Sequence, residues 1–178
     1  MSDRLTLESA SPEQTQAVGE MIGAALQDGD VLVLTGDLGA GKTQLTKGIA
    51  RALGVSDEIT SPTFALEAVH EGGRIPLYHF DLYRLHEADE LGDAGLWDVL
   101  GADGACVIEW GEQFADEIGP ERVDVFVTRE ETGSTEALGA EAGDADASES
   151  GNEPPRRIEL ESHDARGDEL LAAVRASR

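Results

Sequence analysis

Only two lysines, Lys42 and Lys47, and a single cysteine, Cys106, occur in this chain. One cysteine closes no internal disulfide, which excludes a disulfide-stapled scaffold and fits a reducing compartment. No run of about 18 apolar residues is present, so no membrane-spanning helix is expected. The opening MSDRLTLESASPEQ is polar and lacks the apolar core of a signal peptide, so a cytoplasmic location is expected. Positive charge is scarce throughout: 13 Lys and Arg stand against 37 Asp and Glu, for a net charge of −24. That balance argues against broad, non-specific nucleic-acid binding, which needs a basic footprint, although it leaves room for a local patch. We read the acid excess as the surface of a salt-loving organism, where carboxylates keep the surface hydrated and salt screens their repulsion. An ordinary acidic protein with a bias toward arginine is the alternative.

Against these absences stands enough apolar material to fold. With 178 residues, 40% of them hydrophobic, a single domain with one core is expected over residues 1–178. Ser11-Pro12-Glu13-Gln14 reads as a helix start, with Ser11 capping and Gln14 at capping-box spacing, and the helix should run to about Leu26. VLVLT, residues 31–35, is a buried strand. A second helix is expected from Lys42 to Leu53, stopped by Gly54. FALEAVHEGGRIPLYHFDLYRL suggests two strands around the EGG turn. In HEADELGDAGLWDVLG, Leu91, Leu96, Val99 and Leu100 lie near helical spacing, interrupted by glycines. ACVIEW is another short buried strand, with Cys106 as inert core, and Trp97 is also expected to be core. RVDVFVT and RIELE alternate with period two, and a last short helix should cover about Gly167 to Ala176. The spacer from Glu130 to Pro155 holds eight acids and no base. Its Gly, Ser, Ala and acid content cannot bury enough apolar surface to offset ordering entropy, so a disordered hairpin tip is expected.

GDLGAGKT, Gly36 to Thr43, lies between the VLVLT strand and the second helix and matches G-x-x-x-x-G-K-[ST]. Glycines let the backbone approach phosphate, and the N–H groups then point inward at a helix N-terminus whose dipole favours anions. Lys42 is expected to reach the β- and γ-phosphates, and the Thr43 hydroxyl to ligate Mg²⁺. Such a site also needs a carboxylate for the metal. Asp81 closes IPLYHFD and Glu109 closes ACVIE, both at carboxyl ends of strands, where ligands gather in α/β sheets. Taken alone, Asp81 could equally be a turn cap and Glu109 a solvated strand end. His79 shares a strand face with Asp81 and reads either as a partner of the site or, as we prefer, as a packed histidine.

The ordered series GDLGAGKT, SPTF, HFDLYRL, GLWDVL and VIEW resembles the TsaE family of small bacterial P-loop ATPases in tRNA threonylcarbamoyladenosine biosynthesis. The resemblance spans about Gln14 to Trp110; the closing hairpin is similar in pattern only, and its acidic insert, residues 130–155, departs from the family. It implies a single P-loop NTPase-like α/β domain: a mixed, mostly parallel central sheet flanked by helices, with a C-terminal β-hairpin. It implies that ATP or ADP binds at Gly36, Asp37, Leu38, Gly39, Ala40, Gly41, Lys42, Thr43 and Gln44, with Trp110 as the aromatic neighbour. Mg²⁺ would be held by Thr43, Asp81 and Glu109, and turnover would depend on Lys42, Glu109 and Thr63, the last a switch-like threonine near the γ-phosphate. The implied partners are the TsaD and TsaB proteins, which modify adenosine 37 of tRNAs reading ANN codons. This chain's hydrolysis would reset their complex, making tRNA the pathway's substrate and not necessarily a direct ligand of this acidic chain. ATP over GTP comes from the resemblance alone; no guanine-reading N-K-x-D is present. Two other readings keep the same loop. A small-molecule kinase would need an acceptor pocket and basic lid residues, for which Arg74 and Arg84 are available without an arginine-rich segment. A nucleotide switch would bind without hydrolysing.

Overall fold

Four short strands run side by side in one direction and carry the phosphate-loop sequence at their centre. The computed structural model describes residues 2–37, 40–56, 58–59, 67–130 and 155–178. In chain order the strands are β1 (Arg4–Ser9), β2 (Val31–Thr35), β3 (Glu67–His70), β4 (Leu77–Asp81), β5 (Ala105–Glu109), β6 (Val123–Arg129) and β7 (Arg156–Ser162). The helices are α1 (Pro12–Ala25), α2 (Lys42–Leu53), α3 (Glu90–Asp93), α4 (Leu96–Val99), α5 (Ala115–Ile118) and α6 (Ala165–Ala176), with a 3-10 turn at Glu112–Phe114. All strands join one seven-stranded sheet in the order β1-β7-β6-β2-β5-β4-β3. Pairing is parallel through β6-β2-β5-β4 and antiparallel at both margins. The expected mixed sheet is therefore present, with its parallel part confined to the centre.

β2 explains its own placement. It is apolar on both faces, so it must be covered on both. Leu32 and Leu34 face a core shared with α1, α2 and α6, while Val31 and Val33 face a second core closed by α3, α4 and Phe114. α1 begins as expected: Ser11 Oγ accepts from Gln14 N at 3.1 Å, but Gln14 Oε1 answers Ala10 N, one residue before the cap. α2 ends at Gly54, whose left-handed φ of 87° lets its N–H close on Ala50 and Arg51. β3 and β4 form the antiparallel pair expected around EGG. β6 and β7 are the arms of the terminal hairpin, and Glu130 N still donates to Pro155 O at 2.8 Å beyond their last paired residues. The insert expected to be disordered lies, between those two residues, outside the described residues.

Three expectations change. Arg4–Ser9, read only as polar N-terminus, is a strand: Leu5 and Leu7 are buried and the residues between them are exposed, as period two requires. The last helix starts at Ala165, two residues early, because Asp164 caps Gly167 N at 2.8 Å. Trp97 is not core. It is 48% exposed, because α4 is a single turn that points Leu96 inward and leaves the indole outside against Gly92. Cys106 is core as expected, and burial pushes its thiol up to about 12.

Candidate phosphate-binding site

Strand β2 ends at Thr35, the chain turns through Gly36 and Asp37, and α2 begins at Lys42. Gly41, the residue before the helix, has φ of 114°, a backbone region in which a side chain would be strained. Lys42 is a buried charge: only 5% of it is exposed. Its ammonium donates to Gly36 O at 2.7 Å and so lies back across the loop. It also sits 4.2 Å from the centre of the Trp110 ring, a cation–π contact that steadies a cation away from water.

Trp110 reaches that position through its backbone. It is the one non-glycine residue with positive φ, 62°, among the described residues. For a bulky side chain that conformation costs on the order of 1–3 kcal/mol and persists where the surroundings hold it. Here Tyr83 meets the indole edge-on, with centroids 5.0 Å apart and an interplanar angle of 62°. The aromatic neighbour expected from the sequence thus lies over the loop's lysine.

Asp81 and Glu109 end the adjacent parallel strands β4 and β5 and are direct register partners. Leu82 N donates to Glu109 O at 3.0 Å, which locks the two strand ends together. Asp81 Oδ1 also accepts from Tyr83 N at 3.0 Å, so it caps the turn that presents Tyr83 as well as facing Glu109. Burial is the main cause that holds the Asp81 carboxyl above its ordinary range, and the charge of Glu109 adds to it. The Tyr83 N–H, His79 and Lys42 pull in the opposite direction. Glu109 is not a solvated strand end: it is 3% exposed. His79 is packed, as preferred above, but it is also a partner. Its Nε2 lies 2.6 Å from Glu109 Oε2, with the ring fully buried.

Other expected positions divide. Thr43 is the second residue of α2. Gln44, from the same first turn, accepts at Oε1 from Gln16 Nε2 of α1 at 2.7 Å, leaving its backbone as the part directed at the helix end. Leu38, Gly39 and Thr63 fall outside the described residues. A cleft of about 460 Å³ opens beside the loop, lined by Thr35, Gly36, Asp37, Ala40 and the end of β6 from Phe126 to Arg129. Arg156 of β7 borders this region and donates its Nε to Ala40 O at 2.7 Å. Sequence reasoning missed Arg156, although a base retained in so acidic a chain beside the loop's own hairpin was a usable signal. Tyr83 was equally visible inside HFDLYRL.

A family model described as threonylcarbamoyl adenosine biosynthesis protein TsaE matches residues 9–137. The chain belongs to the TsaE family. Among curated relatives, the tRNA threonylcarbamoyladenosine biosynthesis protein TsaE of Bacillus subtilis is 39% identical over 126 residues, covering 71% of this chain and 78% of the relative. The protein of the same name from Treponema pallidum is 47% identical over 110 residues, covering 62% and 81%. The crystal structure of Bacillus subtilis YdiB superposes with a TM-score of 0.73 at 28% identity, covering 99% of this chain and 97% of that one. The TsaE match stops at residue 137, short of β7 and α6, whereas the structural match includes them. No helix among the described residues is long and apolar enough to cross a membrane.

Proposed function

We propose that this TsaE-family chain binds Mg-ATP in the Gly36–Thr43 loop and hydrolyses it, in support of threonylcarbamoylation of adenosine 37 in tRNAs reading ANN codons. The observation that carries the reading is convergence: the loop's buried lysine lies across the loop, within electrostatic reach of an Asp81 that is paired in register with Glu109. Lys42 and the backbone N–H groups at the start of α2 would bind phosphate oxygens. The Thr43 hydroxyl and the two carboxylates offer only hard oxygen donors, which suit Mg²⁺. The upward push on Asp81 from burial and from Glu109 is a further sign of fit, since a cation there would relieve both. Bound magnesium would supply charge neutralisation on the phosphates. Glu109 would orient the attacking water. The water's oxygen bonds the γ-phosphorus, the bond to the β-phosphate oxygen breaks, ADP leaves with that electron pair, and the water's proton ends on the released phosphate. Thr63 is assigned its γ-phosphate role by family resemblance. TsaD and TsaB are the proposed partners, with hydrolysis resetting their complex and tRNA bound by them rather than by this chain.

The test is phosphate release from Mg-ATP in molar KCl, by the chain alone and then with TsaD, TsaB and tRNA of the same organism, with Lys42→Ala as the blank. Release above the blank, stimulated by the partners, is expected. Nucleotide binding without release in any mixture would make the protein a nucleotide switch, and transfer of phosphate to a metabolite would make it a kinase.

A further inference from the structure

A buried carboxylate holds one orientation only while a hydrogen bond fixes it, because three rotatable bonds separate its oxygens from the backbone. Glu109 is such a group, and β4 supplies one such bond. His79 and Asp81 lie on one face of β4, and Glu109 lies on the same face of β5. Register places Asp81 directly opposite Glu109 and His79 opposite Val107, one diagonal step back. Glu109 therefore meets two side chains of β4 at once. Leu77 and Val107, which share this face, belong to the core that α2 helps to cover, so His79 lies on a face packed with apolar side chains. At 2.6 Å from a carboxylate oxygen, Nε2 must carry the hydrogen, since two facing lone pairs would repel. The other ring nitrogen, Nδ1, is buried and has no hydrogen-bond partner among the described residues, so the ring spends its polar capacity on Glu109.

We infer that His79 is a positioning residue for the reaction: its Nε2–H holds the Glu109 carboxylate in the orientation from which it addresses the attacking water. The inference rests on hydrolysis, as proposed above. It also distinguishes the two acids: Asp81 is oriented by a backbone N–H in its own turn, Glu109 by a side chain from the neighbouring strand. Hydrogen-bonding partners of this kind typically change activity about 10–100-fold when removed.

The test uses the full chain with its partners and three substitutions. His79→Leu removes the donor at similar volume. His79→Gln keeps an amide N–H near the place of Nε2, and His79→Asn sets the same amide short of it. The expected result is a kcat lower by about 10–100-fold in His79→Leu and His79→Asn, with KM for ATP and the Kd for ADP within about threefold, and substantial recovery in His79→Gln. In a Glu109→Gln background, His79→Leu should add little further loss, because the residue it positions is already disabled. If His79→Leu fails to fold, as judged by lost ADP binding, the Gln and Asn pair decides. Equal kcat in that pair, a kcat within about twofold of wild type in every variant, or a full additional loss in the Glu109→Gln background would overturn the inference while leaving hydrolysis standing. Wild-type release no greater than that of Lys42→Ala would remove hydrolysis itself, and the positioning role with it.

Discussion

At Asp81 the fold holds a negative charge that it would be more stable without. The carboxyl is half-buried and stands beside Glu109, and it titrates above its ordinary 3.8, first because of burial and then because of that neighbour. A carboxyl raised in the folded state binds its proton more tightly folded than unfolded, so ionising it weakens the fold. The penalty is complete above the folded value and fades as pH falls through it toward the unfolded one. Asp81→Asn removes the charge but keeps an oxygen for Tyr83 N. Without nucleotide or magnesium, the variant should melt about 1–3 °C above wild type near pH 7, a modest gain because solvent screens a half-exposed group. The gain should shrink on acidification. Thermal melts across pH 4–8 check this; a lower melting point at neutral pH, or a gap that widens in acid, would refute it. The same substitution should lower phosphate release, the usual exchange of stability against a charged site.

The contact between α1 and α2 decides where the loop's helix sits, and it is built from absent side chains. A Cβ at Gly48 would stand 1.9 Å from Gln16 O, and one at Gly19 would stand 2.2 Å from Leu45 O. Both obstacles are backbone and cannot swing aside. Alanine at position 48 would gain about 1 kcal/mol of helix propensity, yet forcing two backbones apart costs more, about 3 kcal/mol. Gly48→Ala should therefore lose about 2 kcal/mol and melt about 4–8 °C lower, measured by thermal unfolding. A variant as stable as wild type would mean that the helices are not in backbone contact. Much at this scale was legible beforehand. β2, the loop and α2 were readable because composition and punctuation agree there: a doubly buried apolar run, glycines, then a helix closed by Gly54. Asp81 and Glu109 were readable because each ends a strand. What escaped depends on pairing between distant segments. Arg4–Ser9 holds only two leucines and is a strand because β7, far along the chain, accepts it. The bond from His79 to Glu109 exists only in the β4–β5 register, and the turn of Trp110 onto Lys42 only where a left-handed backbone is held in place.

For the molecule as a whole, a charge of −24 is a repulsion that folding must overcome, since it brings the acids closer together. Ion pairs relieve it locally, as where Arg166 grips Asp30 at 2.6 Å, but 13 bases cannot serve 37 acids. The remaining relief comes from solution. Raising ionic strength from 0.1 to 1 M shortens the screening length from about 10 Å to about 3 Å, less than the spacing of most surface charges. The melting point should accordingly rise by on the order of 5 °C or more over that range. It should rise equally in KCl and NaCl, and level off once screening is complete. Thermal melts in both salts check this. A flat response would mean that the acids are too far apart to oppose folding, and the salt-loving reading of the surface would fall. The same charge bears on the proposed partners. An acidic surface repels the phosphates of tRNA, so under the proposed function contact with TsaD and TsaB should go through protein surfaces, with phosphate binding confined to the nucleotide proposed at Lys42.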